Sequence, residues 1–150
     1  MRVRRPIFGM LLVVCIGSAG CDESLSDLTG PTPNLTTTFS SIQREIFDAT
    51  DSSGRLACTQ CHNAAGSAFA AGLNLTAGVS HANLVNAASR TKPGTIRVVP
   101  GDPENSYLVH KLEGRPGIVG LRMPRNTGPF LTEGQMLVIK QWIALGARND

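Results

Sequence analysis

The stretch that most constrains this 150-residue chain is "CTQCH", Cys58 to His62, two cysteines three apart with a histidine directly behind the second. The chain has four cysteines, but Cys15 lies inside an apolar run at the N-terminus and Cys21 at its end. Only Cys58 and Cys61 remain to the rest of the chain, so no disulfide framework beyond that single pair is possible. Three chemistries use cysteines spaced this way: a disulfide exchanger, half of a zinc site and a covalently attached haem.

Residues 1–20 have the three-part layout of an export signal. Arg2, Arg4 and Arg5 form a basic start, Ile7 to Ile16 form a short apolar run, and Ser18, Ala19 and Gly20 precede Cys21. The run is too short to span a bilayer as a helix, which takes roughly 20 apolar residues. "SAGC" resembles the lipobox at which bacterial lipoproteins are acylated and cut, which makes Cys21 the expected lipidation site. Ser18 stands where leucine is usual, so cleavage by an ordinary signal peptidase stays open. An acylated Cys21 carries several chains, and two or more suffice for stable attachment. Asp22 behind it resembles the inner-membrane retention signal of enterobacterial lipoproteins. The expected location is therefore exported and periplasmic, lipid-anchored to a membrane.

Removing the signal leaves 130 residues, enough for one domain of modest core. Of the 14 Lys and Arg, three belong to the signal and no acid does, so eleven basic residues face eleven acidic ones. The apparent basicity comes from the signal, and no nucleic-acid partner is implied.

Residues 21–38 read as a flexible tether of Ser, Thr, Pro and Asp without apolar period. The folded domain is expected over 39–150. Phe39, Ile42, Ile46 and Phe47 recur at helical spacing, with Ser40 or Ser41 as cap and Gly54 as stop. "SHANLVNAA" is a second, short helix candidate. In "VVPGDPENSYLVHKLEG", Asp102 is the expected N-cap, Pro103 the first helical residue and Gly114 the stop. Thr132 and Gln135 have capping-box spacing at the start of a last helix, with Met136, Ile139 and Ile143 on its apolar stripe and Gly146 at its end. No alternating strand pattern of useful length is present, so the predicted fold class is all-α. Between the last two helices, "EGRPGIVGLRMPRNTGPF" is too rich in Gly and Pro for a helix and long for a plain connection.

A thioredoxin-like exchanger needs its motif at a strand–helix junction of a βαβ chain, and here a helix precedes it. A zinc site normally needs four ligands. His62, His81 and His110 would have to complete it, and adjacent Cys61 and His62 are poorly placed to face one tetrahedral ion. Haem attachment uses every residue of the stretch: Cys58 and Cys61 add to the two vinyl groups, and His62 bonds the iron from the proximal side. Export supports it, since bacterial haem attachment takes place outside the cytoplasmic membrane.

The sixth iron position separates an electron carrier from a catalyst. Met136 falls on a helix stripe, where methionine is a core filler. His110 points away from the face shared by Leu108 and Leu112, and His81 lies near a helix start. Met123 stands in the irregular loop with Pro124 stiffening the backbone behind it. A rigid loop lowers the cost of ordering a weak thioether ligand, and Met123 is therefore the expected axial partner.

With helix, "CTQCH", a late "RMP" loop and a terminal helix in that order, the chain resembles a class I cytochrome c. More narrowly, "VVPGDPENSYLVHKLEG" followed by "RMPRNTGPFLTEGQMLVIKQWIALGA" is similar to the planctomycete-type cytochrome c domain, over about Phe39 to Ala147. The resemblance implies a compact class I cytochrome c fold, three to five short helices around one covalent haem c. Its first and last helices would cross beside the haem, with Phe47 and Trp142 as natural contacts. It implies thioether roles for Cys58 and Cys61, axial roles for His62 and Met123, no catalytic residues, and single-electron transfer to unidentified redox protein partners. Arg115, Arg122 and Arg125 crowd the Met123 loop, where they are candidates to dock an acidic partner or pair with haem propionates, or are simply solvated charges. The alternative is a catalytic setting, the haem subunit of an exported dehydrogenase or a small haem peroxidase-like enzyme.

Overall fold

Short helices joined by hydrogen-bonded turns carry the chain. The computed structural model describes residues 34–66, 70–125 and 129–150. The export signal, the Cys21 lipidation site and most of the tether lie outside the described residues.

Helix α1 spans Phe39–Ile42 and runs directly into a π-helical turn, Gln43–Phe47. Its cap is Thr38, one turn-position earlier than the serines: the Thr38 hydroxyl accepts the Ser41 N–H at 3.3 Å. The helical segment stops at Phe47, well before Gly54. Asp51 supplies the reason, because its carboxylate accepts the N–H groups of Ser53 (3.0 Å) and Arg55 (3.2 Å), offering the backbone a turn in place of a helix. Gly54 instead takes the left-handed conformation inside that turn, with φ 87°.

Helix α2, Ser80–Leu84, is followed by a stretch that doubles back on itself. Ser89 N–H bonds to the Thr95 carbonyl (2.9 Å), Arg97 N–H to Ala87 (2.8 Å) and Asn86 N–H to Val98 (3.0 Å). Extended pairing among the described residues is limited to isolated bridges such as Ala88 with Ile96.

Helix α3, Tyr107–Glu113, begins later than Asp102 and Pro103 foretold. The Asp102 carboxylate accepts the Asn105 N–H (3.1 Å), and the Ser106 hydroxyl donates to the Asp102 carbonyl (2.8 Å) while accepting the Val99 N–H (2.9 Å). This side-chain bonding closes a separate turn, and the helix starts only after it. Gly114 ends α3 in the left-handed region. Helix α4, Glu133–Ala144, has the capping box complete: Thr132 accepts the Gln135 N–H and the Gln135 side chain returns to the Thr132 N–H.

The core lies where α1 and α4 meet. Ile42, Ile139 and Ile143 are fully buried there. Phe39 makes the crossing contact, with its ring 5.2 Å from Trp142 and 6.3 Å from Phe47. Phe39 thus bridges the Phe47 and Trp142 rings. Two main-chain anchors close the crossing: Asp150 accepts the Phe39 N–H on its side chain (2.8 Å) and the Ser40 N–H on its carbonyl (2.9 Å). Leu35, read as part of the tether, is 1% exposed and belongs to this core, so packing begins before Phe39. Among the described residues no helix is long and apolar enough to cross a membrane.

Candidate functional site

The cysteine motif folds as a single tight turn. Cys58–Gln60 form one 3-10 turn, and the Cys58 carbonyl accepts the N–H groups of both Cys61 (3.2 Å) and His62 (2.9 Å). The approach to that turn is held by Arg55, which is 0% exposed. Its Nε pairs with Asp51 at 3.0 Å and its Nη1 donates to the Ile46 carbonyl at 3.0 Å. The Cys58 thiol donates to the same Ile46 carbonyl at 3.6 Å. One carbonyl at the end of the π-helical turn therefore registers both the arginine and the first cysteine.

Cys58, Cys61, His62 and Met123 all line one cavity of about 430 Å³. Cys58 is half-buried, Cys61 is exposed, and the two are not joined in a disulfide. Burial pushes the Cys58 thiol up, with the Arg55 charge opposing it. His62 sits deeper. Its Nδ1 is buried with no hydrogen-bond partner among the described residues. Burial lowers the His62 pKa and the charges of Arg97 and Lys111 lower it further, while the Leu73 carbonyl pulls the other way without meeting hydrogen-bond geometry at Nδ1. The His62 carbonyl accepts the Leu75 N–H (2.7 Å), and the Leu75 carbonyl accepts Nε2 of buried Gln43 (2.9 Å), which ties the histidine segment to the π-helical turn.

Met123 reaches the cavity from the loop after α3. Its N–H bonds to the Lys111 carbonyl at 2.8 Å, so α3 positions the loop. It is partly buried and packs against the core, with Pro124 joined to it by a cis peptide bond. Phe47, Leu75, Leu84, Leu112 and Leu131 supply apolar lining.

Other sequence candidates are elsewhere. His81 Nε2 donates to the Ala147 carbonyl (2.8 Å) with its ring edge on Phe39, at the α1–α4 crossing. His110 Nε2 donates to the Glu104 carbonyl (2.6 Å). Met136 is core. Arg115 pairs with Glu104 (2.8 Å) and Glu113, and Arg122 donates to the Leu112 carbonyl (2.7 Å) with its guanidinium 3.8 Å over the Phe130 ring. Of the three loop arginines only Arg125 lines the cavity.

Sequence reasoning missed Arg90, Arg97 and Lys111, which also line it. The available signal was Arg97 itself, a charge set among Ile96, Val98 and Val99 in an otherwise apolar run. Among the described residues no group of three or more His, Cys, Asp or Glu is placed to hold a metal ion. No family model, no curated protein and no solved structure matches this chain.

Proposed function

We propose that this protein is a monohaem c-type cytochrome of class I, a planctomycete-type domain that carries single electrons at the periplasmic face of a bacterial membrane, anchored there through Cys21. The observation that carries the proposal is the convergence of Cys58, Cys61, His62 and Met123 on one cavity. Its volume of about 430 Å³ falls within the roughly 300–1,000 Å³ usual for small-molecule and cofactor sites. The lining is apolar with basic side chains in it, which suits an amphipathic group with an apolar ring and acidic substituents. The buried, unpartnered Nδ1 of His62 and the unlinked thiols fit the same group.

A haem held there supplies a one-electron Fe(III)/Fe(II) couple. Cys58 and Cys61 would fix it covalently, and His62 and Met123 would ligate its iron. The chain's own contribution is positional. Arg55 and the Ile46 carbonyl set the first cysteine, the Leu75 contact sets the histidine segment, and the bond from Met123 to the Lys111 carbonyl sets the loop. A thioether in place of water would favour the reduced state.

The test is an optical spectrum of the protein produced with haem-maturation machinery. A reduced c-type band that survives acid-acetone extraction, with a weak far-red sulfur-to-iron band when oxidised, is the expected result. Met123→Ala should abolish that far-red band and leave the haem attached. Loss of all haem on extraction would sink the proposal, and a high-spin wild-type spectrum would turn it toward a peroxidase-like enzyme or an exported dehydrogenase subunit.

A further inference from the structure

The cavity carries charge of one sign. Arg90, Arg97, Lys111 and Arg125 line it, and among the described residues no Asp or Glu does. None of the four forms an ion pair among the described residues. Arg97 is the most enclosed, at 9% exposed. Its bonds go to main-chain carbonyls: Nη1 to Asn83 (2.8 Å), Nη2 to Ala71 (3.3 Å) and Gly72 (3.4 Å). Such bonds satisfy N–H groups without cancelling the charge, and buried charges are ordinarily paired.

Arg90 stands beside it for reasons of backbone geometry. The bonds from Ser89 to Thr95 and from Arg97 to Ala87 fold residues 85–98 back on themselves. Across the wall, Gly72 adopts φ 66° and leaves the space Arg90 occupies, since a Cβ there would fall 2.5 Å from the Arg90 guanidinium. Burial lowers the pKa of Arg97, and the nearby charge of Arg90 lowers it further, so the two cations are left in mutual repulsion. Lys111 has another task, donating to the Val119 (2.9 Å) and Leu121 (2.5 Å) carbonyls ahead of Met123, and Arg125 is exposed beyond Pro124.

We propose that Arg97 and Arg90, with the Ser89 and Thr91 hydroxyls beside them, form a carboxylate-binding subsite, and that its ligands are the two propionate groups of the haem. This rests on the haem reading above. Guanidinium charges at that edge oppose the extra positive charge of Fe(III), so the subsite raises the reduction potential.

The experiment is a redox titration of haem-loaded wild type, Arg97→Gln, Arg90→Gln, Arg97→Lys and Arg125→Gln. Each of the two glutamine changes at Arg97 and Arg90 should move the reduction equilibrium about three- to tenfold toward Fe(III), tenfold being 59 mV for one electron. Arg97→Lys should stay near wild type because it keeps the charge, and Arg125→Gln should move least. An unchanged sulfur-to-iron band in every variant would show that the shift is electrostatic. Should Arg97→Gln fail to fold, Arg90→Gln decides alone, because the Arg90 side chain is at the surface. Wild-type potential in Arg90→Gln, or a larger shift in Arg125→Gln, overturns the subsite with the haem reading intact. A wild-type chain without covalent haem overturns both, and is seen in the first spectrum.

Discussion

Around Phe39 and Trp142 the molecule is held by ring packing and by polar groups that find partners within the chain. Trp142 Nε1 donates to the Arg148 carbonyl (2.8 Å), His81 to Ala147, and Asp150 receives the first N–H groups of α1. The cavity side is built otherwise. Turns carry it, Arg55 Nη2 and His62 Nδ1 are buried without partners among the described residues, and four cations line it with no acid among them. Buried polar groups are ordinarily satisfied, and each exception asks for an explanation. The contrast teaches that one half is completed by the polypeptide, while the other keeps buried polar atoms and charges that the described chain does not satisfy.

The strongest way to break the comparison is at the crossing. Trp142→Ala removes the ring that Phe39 packs on and should cost about 3–5 kcal/mol in urea unfolding, whether or not haem is attached. An effect confined to the haem-loaded protein would mean that the two halves are one unit. Next comes Asp51→Asn, which leaves Arg55 buried beside a neutral group and should cost about 3 kcal/mol or more. Burial raises the Asp51 pKa, but the Ser53 hydroxyl and the Arg55 charge hold it below its ordinary value overall. Its folded pKa is therefore depressed. The stabilisation is complete above the ordinary carboxylate range, near about pH 4, and is lost as pH falls through the folded value. Stability measured against pH should lose that acid-side decline in Asp51→Asn. Smallest is Thr132→Ala, which removes the α4 cap and should cost about 1 kcal/mol without altering the haem spectrum. A spectral change there would show that α4 reports to the cavity.

Helix α4 was legible in nearly every detail because its signals are local: Thr132 and Gln135 cap it three residues apart, and Gly146 stops the chain just beyond it. The end of the α1 helical segment and the start of α3 were less so. Asp51, Asp102 and Ser106 can cap a helix or close a turn, and only the neighbours that their side chains meet choose between them. Phe47 and Trp142 were both picked out as aromatics of the crossing, but the residue between them, Phe39, makes the contact.

The site divides along the same line. "CTQCH" could be read as one local unit because its thiols and histidine are contiguous, and one turn suffices to present them. Met123 could be singled out by its loop. The basic wall could not: Arg90, Arg97 and Lys111 lie far from the motif in sequence, and Arg115 and Arg122, nearer to Met123, are taken up by Glu104, Glu113 and the Leu112 carbonyl. What the sequence by itself determined was the local chemistry, the helix-forming segments and the cysteine turn, because those depend on residues within a few positions of one another. Which charges face the cavity and which are paired elsewhere was decided only by tertiary structure, because burial and ion pairing depend on distances that chain order does not encode.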